Sequence, residues 1–366
     1  MMKKVFRIAG IGLGYLFTTV VALFCFILLV CLVLVYGPSD DAGKLFVHSC
    51  QETSALKFLP YWFLPADTVD DILGKNGDQS QNAASTATLP RYNAALSYDP
   101  ADMEDLSEED KAELAGSGED KVYAEPYIEE VNEGIYKGMI MIVPDPSRVV
   151  IGTLPSYSVG GVGKLLSTFI EDYGAIGGTN AGGFFDPGGG GLGGCPDGLV
   201  LENGTIRYGS DQVYKNVIGI SADHRLLLGN WSPQQALDAG CVSAVSFYDG
   251  LVLIKDGVPQ EGLNSGVNPR TAIGQREDGT MLLLVIEGRH AGSLGATADD
   301  LRDIFVRYGA VNASMLDGGT SAVMFFHGEQ VTRGSNLLGM RYLPTAMLVM
   351  PAEGEEAVTE AAEDTP

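Results

Sequence analysis

From Ile8 to Tyr36 the chain runs 29 residues without a charged side chain. As a helix this stretch would be about 44 Å long, more than a hydrocarbon core of about 30 Å requires. Lys3, Lys4 and Arg7 precede it, and Asp40 and Asp41 follow. The positive-inside rule then puts the N-terminus in the cytoplasm and everything after residue 37 outside. A cleaved signal peptide would have a shorter apolar region and a small-x-small site, and none precedes Gly37-Pro38. Leu29-Val30-Cys31 likewise lacks the small residue that a lipoprotein site wants before cysteine. The length predicts an uncleaved single-pass signal-anchor in a cell membrane, with residues 1–37 as cytoplasmic stub and anchor.

The charge is divided just as unevenly. The formal net charge is -24, which argues against a general nucleic-acid binder, since phosphate backbones need clustered Lys and Arg. Residues 66–125 carry fifteen acidic and four basic side chains, and residues 353–366 carry six acidic and none basic. The stretch between them is only mildly acidic. Residues 38–125 therefore read as a juxtamembrane segment and acidic linker. Gly74 to Thr88 is rich in Asn, Gln, Ser and Ala, and Asp102 to Glu113 is a solvated acidic run. Neither buries enough apolar surface to offset its ordering entropy, and the tail of residues 352–366 is expected to be disordered for the same reason. Residues 44–64, with Phe58, Tyr61, Trp62 and Phe63, suit either the membrane interface or packing against the folded domain.

Residues 126–351 are left as one folded domain. Short apolar runs recur there between Gly, Asn, Asp and Pro punctuation: Met139–Val143, Val149–Leu154, Val217–Ile220, Arg225–Leu228, Ala244–Phe247, Leu251–Ile254, Met281–Ile286, Ala322–Phe326 and Ala346–Met350. Helical signals are fewer. Gly163–Asp172 has an apolar face, Ser232-Pro233 is a cap followed by proline, and Thr297-Ala298-Asp299-Asp300 resembles a capping box before Leu301, Ile304, Phe305 and Tyr308. The pattern predicts an α+β fold, a large mixed or antiparallel sheet with few helices. Of the cysteines outside the span, Cys195 and Cys241 form one candidate disulfide.

Gly160-Gly161-Val162-Gly163-Lys164 looks like a phosphate loop but lacks the first glycine and the Ser/Thr after lysine, so it reads as a turn into a helix. Three other segments put polar residues at strand ends beside glycines, where a ligand can approach the backbone. These are Asn180-Ala-Gly-Gly-Phe-Phe185-Asp186, Asn268-Pro-Arg-Thr-Ala-Ile-Gly274 with the later Glu287-Gly288-Arg289-His290, and Asn312-Ala-Ser-Met-Leu-Asp-Gly-Gly-Thr-Ser321.

In this order, with Gly295–Leu301 between the last two and a final strand introduced by Arg341 and Pro344, the blocks resemble the phosphodiester glycosidase family over roughly residues 130–351. The chain departs from the family in three places: the Asn180 to Phe184 spacing is one residue longer than the commonest form, Glu287 stands where many relatives have Asp, and Thr320 replaces a usual glycine. The resemblance implies a hydrolase that cleaves a sugar-1-phosphodiester, of the α-N-acetylglucosamine-1-phosphate type, in envelope or exopolysaccharide glycans. Glycoside hydrolysis ordinarily uses two carboxyl groups that flank the anomeric carbon, and Glu287 and Asp317 are the expected pair. Arg270 and Arg289 would hold the phosphate through charge-assisted hydrogen bonds, and Asn180, Thr320 and Ser321 would orient sugar hydroxyls or phosphate oxygens. No cofactor, metal site or protein partner is expected, although Asp186 and Asp317 leave room for a divalent ion. A non-catalytic module that binds phosphate-bearing glycans is the rival reading.

Overall fold

The computed structural model describes residues 2–53, 56–74, 124–335 and 339–352. The expectations for the linker beyond residue 74 and for the acidic tail lie outside the described residues. The chain divides into two compact units, Met1–Gly77 and Asp78–Pro366.

In the first unit, helix α1 (Met2–Tyr36) contains a stretch, Gly14–Tyr36, long and apolar enough to cross a membrane, a property that an anchor and a signal sequence share. From Tyr15 to Tyr36 most of its apolar side chains are exposed. Gly37 and Pro38 end the helix, and Ser39 caps α2 (Asp40–Gln51) by accepting from the Ala42 amide. Val47, His48 and Cys50 are buried, and Tyr36 donates its hydroxyl to the Phe63 carbonyl. Residues 66–74, expected as linker, form α3 (Ala66–Gly74), whose buried Val69 lies at the first unit's interior.

In the second unit the strands are, in chain order, β1 (Tyr127–Asn132), β2 (Lys137–Val143), β3 (Val149–Gly152), β4 (Gly177–Asn180), β5 (Val200–Glu202) and β6 (Thr205–Tyr208). There follow β7 (Tyr214–Ser221), β8 (Leu226–Trp231), β9 (Cys241–Ser246), β10 (Val252–Lys255), β11 (Val258–Pro259) and β12 (Arg270–Arg276). The last are β13 (Met281–Ile286), β14 (Ala310–Leu316), β15 (Met324–Phe326), β16 (Glu329–Gln330) and β17 (Ala346–Val349). Helices α4 (Leu166–Tyr173), α5 (Pro233–Asp238) and α6 (Ala298–Arg307) are interspersed.

The fold is α+β with antiparallel sheets, divided into three and not gathered into one. A seven-stranded sheet has the order β1-β2-β13-β12-β14-β10-β11; two five-stranded sheets have the orders β16-β15-β4-β17-β3 and β6-β5-β9-β7-β8. The strand β13 shows why the layers assemble. All six of its residues are apolar and buried, and the pleat sends alternate side chains to opposite faces. Met281, Leu283 and Val285 enter a core shared with the two smaller sheets, through residues such as Ile218, Val245, Met324 and Met347. Leu282, Leu284 and Ile286 enter a second core, closed by Leu301, Ile304 and Phe305 of α6. That helix starts as its sequence requires. The Thr297 hydroxyl accepts from the Asp300 amide, and Asp300 Oδ2 accepts from the Thr297 amide at 2.7 Å.

The expected disulfide does not form. All five cysteines are free: Cys195 Sγ lies 3.3 Å from the Tyr208 hydroxyl, whereas Cys241 begins β9 and packs over Gly219. Lys164 pairs with Asp172 on α4, in keeping with a turn into a helix.

Candidate active site

The ends of all three sheets meet at one place. Asp317 follows β14 of the large sheet, and its amide donates to the Ala181 carbonyl at 2.9 Å, one residue past β4. Two residues on, the Gly183 amide donates to Ser246 at the end of β9 (3.0 Å), and Gly183 accepts from the Asp197 amide at 3.1 Å. The small residues of Asn180-Ala-Gly-Gly183 are what allow this. A Cβ on Gly183 would sit 2.3 Å from Asp197 Oδ2, so only glycine admits that carboxyl group.

The loop after Asp317 is held from both sides. Gly319 has φ +60°, a left-handed conformation that glycine adopts without strain, and its amide donates to the Pro269 carbonyl at 2.8 Å. The Ser321 hydroxyl hydrogen-bonds to the Asp317 carboxylate. Thr320 Oγ1 accepts from Arg341 at 3.2 Å. The same guanidinium donates to the carbonyls of Gly189 (3.3 Å) and Gly191 (3.0 Å), pairs with Asp186 at 3.0 Å, and lies over the Phe184 ring. Arg341 thus clips the glycine-rich loop of residues 187–194 onto the Asp317 turn.

Two carboxyl groups stand out here, Asp317 and Asp197, and the charge of the second acts on the first. Asp317 keeps part of its surface open to solvent while protein surrounds it on nearly every side, which describes the floor of a recess. Burial pushes its pKa up to about 7; the charges of Asp197 and Asp186 add to the rise, and the Ser321 hydrogen bond and Arg341 oppose it. Asp197 is also pushed up to about 7, by burial first and then by the charge of Asp249, against hydrogen bonds from the Tyr248 amide and its own. Asp197 Oδ1 is buried without a hydrogen-bond partner, alone in this among the described side chains. Such an atom costs free energy unless protonation or a ligand relieves it.

The residues expected from sequence divide into three groups. Asp317, Thr320 and Ser321 lie together at the recess. Arg289 lies beside them: its guanidinium donates to Asn268 Oδ1 at 3.0 Å and passes over Gly319, where a Cβ would meet it at 3.5 Å. Arg289 has φ +62°, a conformation that costs a non-glycine residue about 1 to 2 kcal/mol. The remaining three differ from expectation. Asn180 is 0 % exposed and spends its amide on the scaffold, donating to the Asp317 carbonyl and accepting from Thr271 Oγ1 (2.7 Å) and the Val323 amide (3.3 Å). Arg270 is buried, and its guanidinium donates to the carbonyls of Ala296 (3.0 Å) and Gly266. Glu287 accepts from the Arg333 amide at 2.6 Å and faces His290 Nε2 at 3.1 Å.

Topology sets the spacing between Glu287 and Asp317. β12 lies between β13 and β14, with Arg270 opposite Ile286 and Thr271 opposite Leu316. The two strand ends are therefore two strand spacings apart, about 10 Å, and the carboxylates whose charge reaches Asp317 are Asp197 and Asp186. Asp197 escapes a reading of sequence because Cys195-Pro196-Asp197-Gly198 looks like any turn. No group of three or more His, Cys, Asp or Glu placed to hold a metal ion occurs among the described residues.

Asp317 and Asp197, with Arg289 and Arg341 nearby, thus gather where the three antiparallel sheets meet. Residues 173–350, just under half of the chain, match the family model for phosphodiester glycosidase. A stretch of 119 residues, 31 % of this chain, is 33 % identical to the SPbeta prophage-derived uncharacterized protein YomE of Bacillus subtilis (strain 168), and spans only 18 % of that protein. The catalytic domain of zebrafish N-acetylglucosamine-1-phosphodiester alpha-N-acetylglucosaminidase, solved as auto-inhibited by its pro-peptide, superposes with a TM-score of 0.49 at 19 % identity, over 62 % of this chain and 82 % of that one. A protein of Burkholderia pseudomallei K96243 superposes with a TM-score of 0.44 at 15 % identity, over 59 % and 74 % respectively.

Proposed function

We propose that the domain hydrolyses a sugar-1-phosphodiester at the anomeric carbon, with Asp317 and Asp197 as the working pair of carboxyl groups. The observation that carries this reading is the pair itself: two largely enclosed carboxyls, the charge of one acting on the other, both pushed up to about 7. At neutral pH such a pair holds close to one proton, so one member can donate while the other, ionised, faces the oxocarbenium-like carbon. Water supplies the hydroxyl that the sugar keeps, and the phosphomonoester leaves with the bridging oxygen. A phosphate ester is already a fair leaving group, so a cation on its oxygens contributes more than strong acid assistance.

Arg289 is the residue suited to that contact. It is exposed, it lies over the glycine turn that follows Asp317, and it holds a strained backbone conformation of the kind that concentrates at functional sites. Thr320 and Ser321 border the same turn. Asn180 and Arg270 act as positioning residues, because their polar atoms are engaged with the scaffold. In the full reading α1 anchors the chain in a membrane, and the domain works on envelope glycans on its outer side.

The test is hydrolysis of a methyl α-N-acetylglucosamine-1-phosphodiester in 18O-labelled water. The proposal expects the label in the sugar and none in the phosphate. Label in the phosphate would make the protein a phosphodiesterase, and tight binding without product would make it a binding module.

A further inference from the structure

Beside the recess three loops lock together and expose apolar side chains. Val162 bridges to Gly193, the Gly163 amide donates to the Leu192 carbonyl at 2.7 Å, and Lys164 bridges to Leu343. The Phe185 amide donates to Cys195 at 2.8 Å, and Arg341 fastens Gly189 and Gly191. On this platform Val159 (78 % exposed), Val162, Phe185 (56 %), Leu192, Met340 and Tyr342 face solvent. Its charged members Lys164, Asp186 and Arg341 are paired. A soluble surface rarely gathers this many apolar side chains without a use for them.

The two sides of the recess differ in chemistry. One side carries Arg289, whose guanidinium passes over Gly319 and suits phosphate. The other is the apolar platform, joined to the recess through Arg341, whose guanidinium holds both Thr320 and the platform's glycine loop. Resting on the function proposed above, we infer that this platform binds an apolar aglycone, so that the substrate is a sugar-1-phosphate esterified to a long-chain or lipid alcohol. Continuity with the recess favours this occupant over a protein or a membrane surface, neither of which would need to meet the platform at the edge of Asp317's turn.

The experiment compares the methyl and hexyl esters of α-N-acetylglucosamine-1-phosphate with the full chain in lipid nanodiscs. The hexyl ester is expected to show a kcat/KM at least about tenfold higher, equivalent to about 1.4 kcal/mol and to the partial burial of a few methylenes. In V162S/L192S, which changes only exposed side chains, the ratio of the two esters should fall towards one. A ratio near one in the unaltered protein, or one that V162S/L192S leaves unchanged, overturns the inference. If neither ester is cleaved, the catalytic reading has failed, and the platform is judged by equilibrium binding of hexyl phosphate against methyl phosphate. About tenfold tighter binding of hexyl phosphate, lost in V162S/L192S, supports the platform; equal binding overturns it.

Discussion

The Asn180 side-chain amide donates to the Asp317 backbone carbonyl, while the next residue along, Ala181, accepts from the Asp317 amide at 2.9 Å. One dipeptide at the end of β4 thus grips both backbone polar groups of Asp317 and fixes the large sheet to a smaller one. Removing the Asn180 side chain would strand Thr271 Oγ1 and the Val323 amide in the core. Asn180→Ala is therefore expected to cost about 3 kcal/mol and to lower Tm by roughly 5 to 10 °C. Thermal unfolding checks this; an unchanged Tm would mean that the brace is unimportant.

Arg289 and Arg270 should behave differently although both precede the site in sequence. Arg289→Ala is expected to raise KM for the methyl phosphodiester about tenfold and to leave a non-ionic glycoside nearly unaffected. Arg270→Ala removes buried bonds to Ala296 and Gly266, so it should lower Tm and depress both substrates equally. Steady-state kinetics on the two substrates separate these outcomes.

The charge of Asp197 helps to raise the pKa of Asp317. Replacing Asp197 with Asn removes a neighbouring charge, and the Asp317 carboxyl should titrate at lower pH than in the unaltered protein. Carbon-13 NMR of the carboxyls, or the shift of the pH–rate profile if activity survives, reads this directly. A titration that does not move would show that the two groups are independent.

The same pair predicts how stability depends on pH. Both carboxyls have folded values of about 7 against an ordinary 3.8, so between pH 4 and pH 7 the folded chain keeps protons that the unfolded chain has lost. Stability must then fall as pH rises through that window and level off above it. D197N/D317N should lose this part of the slope, with a Tm at pH 8 equal to or above that of the unaltered protein. A double variant that is less stable at pH 8 would contradict the account.

Much of this arrangement can be read from the chain. The apolar runs become β2, β3, β7 to β10, β13, β15 and β17, and the capping signals at Ser232 and Thr297 become helix starts. Strands without such runs are harder to see. Gly177-Gly-Thr-Asn180 has no apolar side chain, yet it is the buried strand β4 between β15 and β17. The division into three sheets also escapes, because pairing between distant strands leaves no local mark. The site follows the same rule. Asp317 stands out by its position at a strand end before two glycines, and its neighbours Thr320 and Ser321 come with it. Asp197 is brought in from a turn 120 residues earlier, and the intervening β12 separates Glu287 from the place that its motif suggested. Buried arginine and asparagine look identical to exposed ones until the sheet order shows which face they meet.

The most direct measurement of Asp317's part in hydrolysis is release of free N-acetylglucosamine from the methyl phosphodiester by the full chain and by Asp317→Asn. Steady release is expected from the unaltered protein, and a loss of at least about a thousandfold in the variant, in keeping with a carboxyl that takes part in the bond-breaking step, with its Tm preserved. Release by Asp317→Asn at the rate of the unaltered protein would contradict it.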